Sequence, residues 1–253
     1  MINLSVNNLA VGGRRIHYAW VMVVLAASMR FLSSSFRSSS SILLPRIVEI
    51  FGWSHGQVGA GFALQWVVSG LFGPPAGWMG ERYGFRLTMC LGTILLIVGM
   101  ILTGMMTQLW QFYLYFGVIL SVSMAIFQVP LTVAVTQWFR KHLGVGMGLL
   151  QSSQGLGPVI TVPVILLIYT GFGGGIPGLR AAFLIPGIGG GLLLLLLIRF
   201  FYSEPAQVGM RPLGADEDEP IQRQHTGEYG QARTKVFLRQ AQRTGAFWNL
   251  IGI

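Results

Sequence analysis

Gly77-Trp78-Met79-Gly80-Glu81-Arg82-Tyr83-Gly84-Phe85-Arg86 packs an acid, two bases and three glycines into ten residues. The chain is apolar on either side of it, from Gln57 to Trp78 before and from Leu87 to Met106 after. A helix rises 1.5 Å per residue, so about 20 residues cross the hydrocarbon core of a bilayer. Two apolar runs of that length, joined by a short charged turn, read as a helical hairpin that crosses a membrane twice. Backbone in lipid has no water to pair with, so both runs must be helices.

Four more runs of the same kind lie outward from this hairpin. They are Tyr18 to Leu44, Trp110 to Val135, Gly144 to Tyr169 and Ala181 to Tyr202. The reading is an all-α membrane protein with six transmembrane helices. Composition agrees: 53% of the 253 residues are hydrophobic and 10% are charged, against about 25% charged in a soluble domain. The net charge of +9 is not arranged as a basic stripe with interleaved aromatics, so nucleic acid is not an expected partner. Arg14 and Arg15 before Ala26, Ala27 and Ser28 imitate a secretory leader, but the apolar run continues past that point, which favours a retained first span. Cys90 is the one cysteine and forms no internal disulfide.

Basic residues set the orientation. One side of the six spans carries Arg14, Arg15, Arg82, Arg86, Arg140, Lys141 and Arg199, and the other carries Arg46 and Arg180. Seven against two places the N-terminus and the Glu81–Arg86 turn in the cytoplasm, in a multi-pass protein of the cell membrane. Four segments follow: a cytoplasmic stretch over 1–17, the six-helix domain over 18–202, a cytoplasmic linker over 203–244, and the start of a seventh span, cut off, over 245–253. The linker holds Pro205, Pro212 and Pro220 and an acidic run, Asp216 to Glu219. Lys235, Arg239 and Arg243 then recur every four residues, as on one face of a basic helix, either lying on the membrane surface or solvated.

The quoted turn resembles the signature loop of the major facilitator superfamily: a glycine, three residues, an acid, a base, one residue, a glycine and two bases. Gly77, Glu81, Arg82, Gly84 and Arg86 match it, with glutamate in place of aspartate and Phe85 in place of one base. Phe36-Arg37-Ser38-Ser39, Phe51-Gly52-Trp53-Ser54, Trp138-Phe139-Arg140-Lys141 and the linker text from Glu204 to Pro212 are similar to the superfamily's monocarboxylate-porter-like branch. The resemblance implies the N-terminal half of a fold made of two six-helix halves, with the substrate site between them. It also implies that Gly77, Glu81, Arg82, Gly84 and Arg86 form a gating loop, and that a C-terminal six-helix half is a missing partner.

The first span carries the residues of most chemical interest. Arg30 and Arg37 are two helical turns apart and share a face, with Ser33, Ser34, Ser40 and Ser41 on or near it. An arginine inside a membrane usually faces a cavity or a partner, and its planar fork grips a carboxylate with two parallel hydrogen bonds. Snorkelling to the outer surface is the competing role for Arg37, and a structural clamp is the competing role for Arg30. All eight acids, Glu49, Glu81, Glu204, Asp216, Glu217, Asp218, Glu219 and Glu228, lie outside the six apolar runs. A substrate anion or the missing half is therefore expected to complement the arginines. Gln128 and Thr132 share a face of the fourth span, as do Gln151 and Gln154 in the fifth; such amides either bridge helices or line a cavity. Gln65 is a weaker cavity candidate. His17, His55, His142 and His225 lie near span ends or in the linker and read as surface groups.

Gly144, Gly148 and Gly187–Gly191 lack the Lys-Ser/Thr of a nucleotide loop and read as packing residues. Gly155, Gly157 and Pro158 suggest a kink in the fifth span. Enzyme motifs are missing from the sequence: no Gly-x-Ser-x-Gly, His-Glu-x-x-His or Cys-x-x-Cys occurs, and no cofactor or metal is expected. The expected function is secondary transport of a small organic anion, a monocarboxylate in the first place, by symport across the lipid bilayer. The alternatives are a truncated or regulatory six-span fragment without transport of its own, and efflux of other small molecules.

Overall fold

The computed structural model describes residues 8–11, 14–139, 141–203 and 205–214. Among these, six long helices stand where the six apolar runs lie. They are α1 (Tyr18–Phe51), α2 (His55–Tyr83), α3 (Phe85–Gly104), α4 (Leu109–Trp138), α5 (Leu143–Gly171) and α6 (Gly175–Phe200). Most outrun the apolar stretches at their ends, because polar residues at the membrane–water boundary continue a helix without needing lipid. Arg46 and Glu49 accordingly sit on the last turns of α1, and Arg180 sits inside α6, not in loops as the sequence suggested.

Five of the six are long and apolar enough to cross a membrane: α1, α3, α4, α5 and α6. α2 has the length, at 29 residues, but His55, Gln57, Gln65, Ser69 and its many glycines lower its hydropathy. Ser54 starts it with a capping box: Ser54 Oγ accepts from the Gln57 amide at 3.1 Å, and Gln57 Oε1 accepts from the Ser54 amide at 2.9 Å. α4 is not uniform; Tyr113–Ile119 forms a π-helical stretch. Two short strands outside the bundle, β1 (Asn8–Val11) and β2 (Arg14–His17), pair antiparallel with Leu9 opposite Ile16. The expectation for the N-terminal segment over 1–17 includes no secondary structure, although Gly12-Gly13 in the sequence is a hairpin signal.

α1 packs chiefly on α5, α2 on α4, and α3 on both α4 and α6. Exchanging the first three helices for the last three turns the α1–α5 pair into the α4–α2 pair and returns α3–α6 to itself. That is the pattern of two three-helix repeats. Aromatic side chains anchor the contacts. Phe51 and Trp53 stack with centroids 4.6 Å apart, and Phe112 and Phe116 at 5.0 Å. A Cβ at Gly61 would overlap the Phe112 ring, so glycine lets α2 lie directly on α4. At the opposite end Tyr18 meets Trp138 at 5.6 Å, and Trp20 meets Phe139 at 5.5 Å.

Beyond α6 the chain doubles back. A short 3-10 turn (Pro205–Val208) leads to Leu213, which bridges Phe139. The Leu213 amide donates to Trp138 O at 2.9 Å, the Lys141 amide donates to Leu213 O at 3.1 Å, and Trp138 Nε1 donates to Tyr202 O at 2.9 Å. The first residues of the linker are thereby clasped to the α4–α5 corner. The acidic run, the basic helix and the seventh span expected further on lie outside the described residues.

Candidate functional site

The face of α1 that carries Arg30 is turned into the bundle. Arg30 is 8% exposed, and Ser33, Ser34 and Ser35 are buried beside it. The serine hydroxyls do not simply line a cavity. Ser33 Oγ donates to Arg30 O at 3.0 Å, and Ser34 Oγ and Ser35 Oγ each donate to Phe31 O at 2.9 Å. A hydroxyl in a low-dielectric interior finds its nearest acceptor on its own helix.

The Arg30 guanidinium reaches α5. Its Nε donates to Gln154 Oε1 at 3.1 Å, and its Nη2 donates to the same oxygen at 2.6 Å. Gln151 Oε1 stands 3.4 Å from that Nη2, at the long end of the hydrogen-bond range. The arginine of the first span and the amide pair of the fifth, picked out separately in the sequence, are thus one group. Gln151 and Gln154 share a face at three-residue spacing, and α5 presents that face to α1. Both amides are neutral and do not cancel the charge on Arg30.

One turn further along, α1 and α5 come into backbone proximity. A Cβ at Gly157 would overlap Ser34 Oγ and stand 2.9 Å from Phe31 O. The next turn adds a hydrogen bond from Thr161 Oγ1 to Ser35 Oγ at 2.6 Å. Gly157 therefore serves close approach, and α5 remains one continuous helix through Pro158 and Pro163. Neither this seam nor the Ser35–Thr161 bond was anticipated; the small residues on both helices were the available signal.

Arg37 lies on α1 two turns beyond Arg30; its side chain falls outside the described residues. Gln128 is half-buried on α4, and its backbone carbonyl accepts from Thr132 Oγ1 at 3.1 Å. Gln65 is 1% exposed, and neither of its amide atoms has a hydrogen-bond partner among the described residues. His55 and His142 are exposed.

The charged turn is tighter than its sequence suggested. Gly84 alone separates α2 from α3, at φ +89°, where a side chain is strained. Glu81 and Arg82 belong to the last turn of α2, and Arg86 belongs to the first turn of α3. Arg82 lies over the Trp78 ring at 5.1 Å. Arg86 Nη2 donates to Arg199 O at 2.7 Å, capping the end of α6. Gly77 packs toward Val129, where a Cβ would meet Cγ1 at 3.7 Å.

Residues 26–253 match the model of the Major Facilitator Superfamily. The chain is 26% identical to monocarboxylate transporter 2 of Meriones unguiculatus over 90% of this chain and 45% of that protein. It is 23% identical to the oxalate:formate antiporter of Oxalobacter formigenes over 76% of this chain and 44% of that one. Among solved structures it resembles the proton:xylose symporter XylE bound to 6-bromo-6-deoxy-D-glucose. The TM-score is 0.62 at 15% identity, over 74% of this chain and 46% of that one. The chain thus spans about half the length of the curated relatives it matches.

Proposed function

Because this chain belongs to the major facilitator superfamily, we propose that it supplies one half of a secondary transporter for a small organic anion, a monocarboxylate in the first place, working by alternating access. The observation that carries this reading is the Arg30 guanidinium. It is buried in a membrane helix and aimed edge-on at amide oxygens of a neighbouring helix. An edge that meets one oxygen also suits the two oxygens of a carboxylate, through two parallel charge-assisted bonds. Two relatives whose names specify carboxylate cargo support the substrate class. In this reading Arg30 and Arg37 hold the anion, Gln151 and Gln154 surround it, and Gln128 lines the approach. Gly77, Glu81, Arg82, Gly84 and Arg86 form the cytoplasmic gating turn, and the second six-helix half completes the site.

The test is uptake of labelled L-lactate into proteoliposomes containing the complete two-half protein, normalised to inserted protein. Charge-assisted bonds contribute roughly 1.5–3 kcal/mol each, so Arg30→Gln and Arg37→Gln should each weaken uptake about tenfold or more. Arg30→Lys and Arg37→Lys keep the charge but lose the fork, and should retain part of it. Wild-type affinity in Arg30→Gln makes that arginine a structural clamp. No lactate uptake by the wild-type protein, with export of uncharged compounds, replaces the anion reading with efflux.

A further inference from the structure

Gln154 occupies the part of Arg30 that a carboxylate would need. Both Nε and Nη2, the two nitrogens of the side-on edge, donate to its one amide oxygen, at 3.1 and 2.6 Å. We propose that Gln154 is an internal competitor of the substrate. Its neutral oxygen holds the guanidinium in the binding geometry, and an incoming carboxylate must displace it. This rests on the anion reading above and adds to it the residue that sets affinity.

The surroundings make the competition unavoidable. α5 cannot draw Gln154 back, because Gly157 seats the helix against α1 one turn away. The hydroxyl bond from Thr161 to Ser35 holds the next turn. The amide oxygen therefore leaves Arg30 only by rotation of its own side chain, or by sliding of the whole α1–α5 seam. An amide oxygen bonds a guanidinium more weakly than a carboxylate does, so a carboxylate wins the exchange, while uncharged carbonyl compounds gain nothing over the resident amide. Gln154 thus lowers affinity for every ligand and leaves selectivity to charge. Gln151 Oε1, on an exposed side chain 3.4 Å from the same Nη2, is a second and longer acceptor on that nitrogen.

Two substitutions of nearly equal size are expected to act in opposite directions. Gln154→Met keeps the length and removes the acceptor, so carboxylates should bind more tightly, by about tenfold or more, as two competing hydrogen bonds from a charged group disappear. Gln154→Glu replaces the weak competitor with a permanent carboxylate, and binding should fall more than tenfold. The measurement is a titration of the complete two-half protein, labelled with 15N-arginine and held in nanodiscs. Formate and L-lactate are the probes, and formamide is the uncharged control. The Arg30 Nε–H signal, identified by its loss in Arg30→Lys, reports occupancy.

A merely structural role for Gln154 does not tighten binding, so the sign of the Gln154→Met change is the deciding readout. If formate shifts the wild-type signal but Gln154→Met leaves affinity equal or weaker, the competitor role is overturned and the anion site stands. Undiminished binding in Gln154→Glu overturns it in the same way. If neither probe moves Arg30 in the wild-type protein, the anion reading itself fails, and the inference fails with it.

Discussion

Gln65 is the polar side chain whose environment asks most for an explanation. It lies in the buried row of α2 with Val58, Gly61 and Val68. Leu64 beside it fits against Gly117 in the π-helical stretch of α4. A buried amide with no partner costs about 1–3 kcal/mol, and an apolar side chain of similar shape removes that cost. Gln65→Met should therefore raise the melting temperature of the detergent-solubilised protein while leaving its helix content unchanged. A lower melting temperature would show that the amide is bonded in the membrane. At this scale the sequence was a partial guide. Spacing put Arg30 and Arg37 on one face, and the cost of a charge in lipid turned that face inward, but nothing in the sequence paired Arg30 with Gln154, because that pairing depends on how close two helices approach. The approach is set at Gly157, which in the sequence is one glycine among 35.

The elements themselves were readable because lipid leaves an apolar run no alternative to helix. Their ends were not, since polar residues extend a helix beyond the hydrocarbon. The π-helical stretch Tyr113–Ile119 was not readable either: its residues are apolar on every face, so one extra residue in a turn leaves no mark on the pattern. The fold-back of the linker was hidden because its hydrogen bonds are main-chain bonds, apart from the indole of Trp138. Leu213 has both its amide and its carbonyl engaged with the α4–α5 corner. Leu213→Pro removes the donor to Trp138 O and should release residues 205–214. Hydrogen–deuterium exchange should then rise severalfold over the linker start and at Lys141, with α1 to α3 unchanged. Unchanged exchange at Lys141 would mean that the buried side chains of Phe201 and Met210, not the backbone bonds, hold the segment.

For the molecule as a whole, the prediction concerns sidedness. From the seven-to-two distribution of basic residues, the Gly84 turn and the Lys141 corner are predicted to lie on the cytoplasmic side and Gly174 on the outer side. Single cysteines in a Cys90→Ser background should follow that pattern in intact cells. An impermeant maleimide should label position 172, beside Gly174, and spare positions 81 and 141; the reverse would invert the topology. Much apolar surface faces outward, with Leu71 of α2 70% exposed and Leu167 of α5 71% exposed, as expected where lipid or a second half covers a helix. The contact between α1 and α5 at Gly157 also has a mechanical meaning. A layer of side chains between two helices yields by changing rotamers. At Gly157 that layer is missing, and Ser34 and the Phe31 carbonyl meet the α5 backbone directly. Ser34 and Gly157 lie near the midpoints of the two helices, so this contact is a fulcrum halfway along a helix that is roughly 50 Å long at the rise of an α-helix. A helix that pivots on such a fulcrum moves its two ends in opposite senses, as on a see-saw.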